Sequence, residues 1–355
     1  MIKKKRILID LDRLKDVHNG LGQIALNFGK YIQDLKDDRF EFTLLVPKQY
    51  IGYFGNNVNY ETISIKRRYF PYLCPDYDLW YTIHQDSSFF PSNKQTPFIL
   101  TINDLNFLED KTPSKAQKRL KRLQSKIDRC TIITAISHYT ESVIRKNLDI
   151  KDKPLHVIYF GVENPIEKQA KKPSYVNSES LLLSIGVIQP KKNLMVLVEM
   201  MKYIPDNYQL ILAGNTEGTY SEQIQERIFQ LGLENRIMMP GKITDDDKYW
   251  LLSHCTALCF PSKLEGMGIP PIEAMRFGKP VFASTFSSIP EICKEYAYYW
   301  ENFEPRNMAN FFLKHLEEFR MNPEKEHQLI AFSEQYNWKD SLMNYLDLFD
   351  QCLNK

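Results

Sequence analysis

The sequence predicts an α/β protein of two domains, each a doubly wound alternation of strand and helix. Three observations carry this expectation. The chain has 355 residues, too many for one small core and enough for two. Short apolar runs alternate with segments of helical period along most of its length. In both halves a strand passes through a glycine- or lysine-bearing turn into a helix, at Gly20-Leu21-Gly22, at Lys191-Lys192-Asn193 and at Glu265 to Gly268. That junction is where doubly wound sheets hold anions.

Composition excludes several other classes. Hydrophobic residues at 43% and charged residues at 25% describe an ordinary globule. A net charge of +2 gives no electrostatic case for nucleic acid. The cysteines at 74, 130, 255, 259, 293 and 352 form no Cys-x-x-Cys, and His254 beside Cys255 is too small a ligand set for zinc. No metal site is expected, and the thiols read as reduced, in a cytoplasmic protein. MIKKKR followed by ILIDLD imitates a signal peptide, but the apolar run is short and Asp10 interrupts it, so it reads as a first strand. No run approaches the length of a membrane span. Tyr69, Phe70, Tyr72, Tyr77, Trp80 and Tyr81 lie in polar surroundings; they either fill cores or form a carbohydrate or interfacial surface.

In the first half, Ile7 to Leu11 reads as a strand, and a helix is expected from Ile24 after the glycine turn that holds Gly20 and Gly22. His18 beside that turn is expected to be a solvated loop residue. Phe40 to Val46, Thr62 to Ile65, Leu79 to His84 and Phe98 to Ile102 read as further strands, with a loop at Lys66 to Phe70. Asn103 and Asp104 then stand at a strand's C-terminal end, where ligands bind in such sheets. His84, ending the strand before, either faces the same crevice or is structural. Pro113 to Cys130 is a helix carrying Lys115, Lys118, Arg119, Lys121, Arg122 and Lys126. Its charged face is either simply solvated or suited to an anionic membrane surface or a lipid-phosphate acceptor. Thr131 to Ile136 and His156 to Val162 complete the strands, with Ser137 capping a helix from His138 to Asn147. Residues 1–163 are thus the first domain, and 164–180, rich in Pro, Lys and Ser, the linker.

The second domain, 181–335, opens with an apolar strand, Leu181 to Ile188, and then Lys191-Lys192 at a helix start, a pairing suited to a diphosphate. Its most informative stretch is FPSKLEGMGIPPIEAMRFGKPVFASTFSSIP, Phe260 to Pro290. It reads as strand, glycine loop, helix, turn and strand, with Pro270-Pro271 in the helix's first turn and Gly278 at its stop. Glycines let backbone approach a ligand. A carboxylate at Glu273 suits the paired hydroxyls of a ribose, and Glu265 could accept hydroxyls from a sugar. One ligand satisfies all three features: a nucleoside diphosphate sugar. An amphipathic helix, Trp338 to Leu353, lies in the terminal segment 336–355.

The Phe260 to Pro290 run resembles the signature of the retaining glycosyltransferases of family four. These have the GT-B fold, two Rossmann-like domains with a cleft between them. The resemblance implies that Glu265 touches the donor sugar, that Glu273 binds ribose, and that backbone N–H groups of Gly266, Met267 and Gly268 hold the diphosphate; the family usually has Phe at the Met267 position. It makes Lys191-Lys192 the phosphate-binding pair, often Arg-Lys in the family, and Ile243 a neighbour of the base. Val187 stands where some relatives place an arginine. In the first half it brings Gly20 and Gly22 to the donor phosphate or acceptor, and it puts Asn103-Asp104 where relatives read His-Asp, with the histidine beside the donor sugar. Asparagine can hydrogen-bond there but cannot shuttle a proton. The terminal helix is expected to cross back to the first domain.

The function implied is metal-independent, retaining transfer of a GDP- or UDP-linked hexose to a glycan or lipid-linked hydroxyl, in surface polysaccharide or glycolipid synthesis. No cofactor beyond the donor is implied, and peripheral contact with the inner face of a membrane is compatible. Two other readings are a catalytically weak paralogue acting as a partner subunit and a phosphorylase or epimerase on the same fold.

Overall fold

A computed structural model describes residues 3–17, 19–35, 37–163 and 170–354. His18 and linker positions 164–169 lie outside the described residues. The chain forms two compact units, Met1–Gly161 with Asn337–Lys355, and Val162–Tyr336.

The first unit is built on seven parallel strands: β1 Lys5–Asp10, β2 Phe40–Val46, β3 Asn59–Thr62, β4 Leu79–Thr82, β5 Phe98–Ile102, β6 Ile132–Ala135 and β7 Leu155–Val157. Their order across the sheet is β3-β2-β1-β4-β5-β6-β7. The central strands are apolar runs because helices cover both faces of a parallel sheet, and all of β4 and β5 is buried. The direction of winding reverses between β1 and β4, which opens a crevice beyond their C-terminal ends.

The C-terminal helix Trp338–Leu353 belongs to this unit. Tyr345 packs on Tyr81 with ring centroids 4.9 Å apart, and Trp338 meets Phe28 edge-on at 6.3 Å. Gly161 is required beneath it, since a Cβ there would lie 2.2 Å from the Trp338 nitrogen.

Three local expectations in this unit are corrected. The first helix spans Gly20–Asp34 and takes both glycines into its opening turn, because Asn19 caps it by accepting from the Gly22 N–H at 2.9 Å. Lys66 to Phe70 is mostly helix, Ile65–Tyr69, capped by Ser64. Its basic composition hid a buried residue: Arg67 pairs with Glu61 at 3.3 Å and lies over the Trp80 ring at 5.7 Å. β7 ends at Val157, short of the expected Val162.

The second unit holds six parallel strands: β8 Ser180–Ile185, β9 Tyr208–Ala213, β10 Ile237–Gly241, β11 Ala257–Phe260, β12 Val281–Ser284 and β13 Tyr298–Trp300. Their order is β10-β9-β8-β11-β12-β13, so winding reverses between β8 and β11. Phe282 anchors the core, 4.7 Å from Phe312 and 6.0 Å from Trp300. The strand ends are drawn tightly together: a Cβ on Gly214, after β9, would sit 1.8 Å from the Gly186 carbonyl oxygen, after β8. Among the described residues, no helix is long and apolar enough to cross a membrane.

Candidate functional site

In the second unit the reversal point is occupied by the two motifs singled out in the sequence. After β8 the chain turns through Gly186 into a short 3-10 turn, Pro190–Lys192, ended by Asn193 in the left-handed conformation at φ 55°. After β11 it runs through the Glu265 to Gly268 loop into the helix Ile269–Arg276. Both strands end at the same edge of a parallel sheet, so their loops meet. The Lys263 N–H donates to the Lys191 carbonyl at 2.8 Å. The Lys192 Nζ lies 2.5 Å from the Glu265 Oε1 and 5.3 Å from the Phe260 ring centroid. A partly buried, charge-assisted contact of this kind holds both groups at one place.

Glu265 is fixed through its backbone as well. Its N–H donates to the Ser287 Oγ at 3.0 Å, and the Ser288 Oγ donates to its carbonyl at 3.2 Å. Ser262 is tied to β12, its carbonyl accepting from the Ser284 Oγ. Ser284, Ser287 and Ser288 were not singled out in the sequence. The signal was present as the polar SSIP turn after a strand, but nothing there says that the turn faces Glu265.

Gly268 caps the following helix at φ 83°, a conformation that favours glycine. The first-turn expectation needs one correction. Pro270 and Pro271 do occupy that turn, and having no N–H they remove two of the helix's four free donors. An anion at this end must therefore rely on loop N–H groups and on Lys192 more than on the helix itself. Gly266 is half-buried, and the Met267 side chain is buried at 2% exposure, so a diphosphate here would meet the backbone of Met267.

Glu273 is brought to Lys248, not to Glu265; their Oε1 and Nζ are 2.6 Å apart. Burial pulls the Lys248 ammonium down, and Glu273, with Glu163 and Asp245 behind it, more than offsets that, leaving its pKa above the ordinary lysine value. Lys248 lies on the helix Asp245–His254. Ile243 is half-buried in the turn just before it, next to the Thr244 cap. At the end of the Pro190–Lys192 turn, the Asn193 Nδ2 is buried and has no hydrogen-bond partner. Such a donor costs energy until a ligand meets it.

Asn103, Asp104, Gly20 and Gly22 belong to the first unit. Asn103 follows β5 and is 2% exposed. Its Nδ2 donates to the Ile83 carbonyl at 3.0 Å and its N–H to the Gln85 Oε1 at 3.0 Å, while its Oδ1 is buried without a partner. Asp104 Oδ1 accepts from the Asn106 N–H at 3.0 Å. A Cβ on Gly20 would meet nothing within 4 Å, whereas one on Gly22 would lie 1.9 Å from the Asp16 carbonyl oxygen. The second glycine is thus required by its own loop, whatever else approaches it.

His84 is fully buried and structural in its contacts. Its Nε2 lies 2.6 Å from the Asp12 Oδ1, and its Nδ1 accepts from the Asp86 N–H at 3.1 Å. Burial lowers its pKa against the upward pull of Asp12, so the ring is neutral near pH 7. Burial raises the Asp12 carboxyl, but the His84 hydrogen bond and Lys15 outweigh it and hold the group at about 2.

Two doubly wound parallel sheets, one presenting a lysine and a glutamate at its reversal point, are the architecture of the GT-B fold. Residues 165–336, just under half of the chain, match the family described as glycosyl transferases group 1. It is 26% identical over 247 residues to the serotype-specific mannosyltransferase WbdA of Escherichia coli, covering 64% of this chain and 30% of WbdA. The chain therefore spans about a third of WbdA's length. To the O-antigen chain mannosyltransferase RfbU of Salmonella typhimurium it is 24% identical over 319 residues, covering 82% of this chain and 86% of RfbU. Among solved structures, Anabaena HepE in complex with UDP and glucose superposes with a TM-score of 0.75 at 18% identity, over 98% of this chain and all of that one.

Proposed function

We propose that this chain transfers a hexosyl unit from a GDP- or UDP-linked donor to a hydroxyl of a glycan or lipid-linked acceptor in surface polysaccharide synthesis. The observation that carries the reading is the Lys192–Glu265 contact at the β8/β11 reversal point. A donor diphosphate placed there meets Lys192, the unpartnered Asn193 amide and the loop N–H groups. Lys192 then releases Glu265 to accept a sugar hydroxyl. Charge grows on the departing nucleoside diphosphate as the glycosidic bond breaks, so fixed cations and N–H groups stabilise the transition state more than the ground state. These groups do that work without a metal ion. Configuration at the anomeric carbon is retained, with the leaving phosphate oxygen taking the acceptor proton. The similarity to WbdA and RfbU, both mannosyltransferases, supports a hexose donor and an O-antigen-like acceptor.

Asn103 favours a second reading, a catalytically weak subunit that binds donor, because its Nδ2 donates to the Ile83 carbonyl and its backbone N–H to Gln85. One experiment tests the proposal and separates the two. Thermal shift with UDP, GDP and their hexose conjugates is followed by an assay for released nucleoside diphosphate with and without a glycan acceptor. Stabilisation with acceptor-dependent release is expected. Stabilisation without release would leave the weak-subunit reading, and no shift with any nucleotide would sink both.

A further inference from the structure

The first unit holds a cavity of about 430 Å³ between the helix Pro113–Arg129 and the segments that follow β1, β4 and β5. Arg119, Arg122 and Lys126 line it from the helix Pro113–Arg129. Spaced three and seven residues from Arg119, the last two share its face of the helix. Arg13 enters from the turn after β1, and Asp86 from the loop after β4. Phe107 lies under Arg119, 4.8 Å from ring centroid to guanidinium carbon. Four cations and one carboxylate on its wall leave an excess of three positive charges.

Local bonds do not neutralise that excess. Asp86 is 2.6 Å from Arg119 and 3.9 Å from Arg13. Lys126 donates to the carbonyls of Gln85 and Ser87, the latter at 2.6 Å, which fixes the ammonium without cancelling its charge. Arg122 has no ion-pair partner among the described residues. Guanidinium groups on a concave wall take phosphate oxygens two at a time. Gln85, on the same wall, is the residue that accepts from Asn103, so the cavity adjoins the β5 strand end.

We infer that this cavity binds the diphosphate group of the acceptor, with Arg119 and Arg122 as its principal contacts. The inference rests on the glycosyl-transfer reading and names the acceptor's chemistry: a diphosphate ester. A prenyl diphosphate and a soluble diphosphate share that group.

Calorimetric titration of the full chain, with the donor site saturated by UDP or GDP, tests it. The probes are farnesyl diphosphate and inorganic pyrophosphate. Both are expected to bind the wild type and to weaken roughly tenfold or more in Arg119→Gln and Arg122→Glu, while nucleotide affinity stays unchanged. Farnesyl diphosphate binding more tightly than pyrophosphate supports the site with a lipid-borne source; equal affinities support it with a soluble source. Arg122 is exposed, so its variant keeps the test readable if Arg119→Gln does not fold. Unchanged affinity in both variants, or no binding to the wild type, overturns the inference. Loss of nucleotide binding by the wild type would instead strike the donor reading, and the pyrophosphate arm would still judge the cavity.

Discussion

The Lys192 ammonium and the Glu265 carboxylate lie 2.5 Å apart, joining the loops of two neighbouring strands from positions 73 residues apart in the chain. Each side chain is about one-seventh exposed, 14% and 13%. Under the proposed function, a donor diphosphate would compete with Glu265 for Lys192, and a sugar hydroxyl would compete with Lys192 for Glu265.

The two residues are therefore expected to fail differently. Lys192→Ala should weaken nucleoside diphosphate binding by roughly tenfold or more, the scale of a lost charge-assisted hydrogen bond. Glu265→Gln should leave that binding within a factor of about three and lower turnover by roughly a hundredfold, since it removes a contact made to the reacting sugar. Titration calorimetry with UDP and GDP, beside initial rates, checks both. Equal losses of nucleotide affinity in the two variants would refute the division of labour.

Glu273 has a partner of its own in Lys248 at 2.6 Å, so a purely structural role must be separated from ribose binding. Glu273→Ala should weaken nucleotide binding by roughly tenfold. Lys248→Met should lower the melting temperature and leave nucleotide affinity near the wild-type value. If Glu273→Ala melts lower but binds nucleotide normally, the ribose role is wrong.

The glycines near the first helix are not equivalent. Gly20→Ala should change stability by less than about 0.5 kcal/mol, as nothing lies within 4 Å of the added carbon. Gly22→Ala should cost about 1–3 kcal/mol or more, because that carbon would strike the Asp16 backbone. Urea unfolding of both variants measures the contrast.

Asn103 clasps β4 to β5. Removing its amide in Asn103→Ala should destabilise the chain by about 1–3 kcal/mol, since the Ile83 carbonyl loses a buried donor. Asn103→His places a proton carrier at the strand end and should raise turnover by roughly an order of magnitude. Chemical unfolding and steady-state rates read the two effects separately, and an unchanged rate in Asn103→His would remove Asn103 from the catalytic account.

Asp10 gives stability a definite slope with pH. Burial, reinforced by the charge of Asp12, pushes its carboxyl up from 3.8 to about 8, against the Ser87 hydrogen bond. Between those values the folded chain keeps a proton that the unfolded chain has lost, so stability falls as pH rises from about 4 to about 8. Asp12, held at about 2, adds stability above 3.8 and loses it only as pH falls through about 2, outside that window. Asp10→Asn should flatten the slope. Melting curves across the window check this, and an unaltered slope would exclude Asp10 as its source.

The sequence by itself determined the alternation of strand and helix, the two-domain division and the Phe260 to Pro290 loop, because these rest on periodicity and turn chemistry local to a few residues. It also placed Lys191, Lys192 and Glu265 in loops that follow strands, and Glu273 on the helix after the glycine loop. Which of them meet was decided by the tertiary structure. Strand order sets β8 beside β11 and so joins Lys192 to Glu265, while a neighbouring helix takes Glu273 to Lys248. The same ordering buried His84 against Asp12 and gathered Arg13, Asp86 and the Pro113–Arg129 helix around one cavity. Pairings between residues dozens of positions apart leave no local trace, since they depend on which strands become neighbours and which faces are then covered.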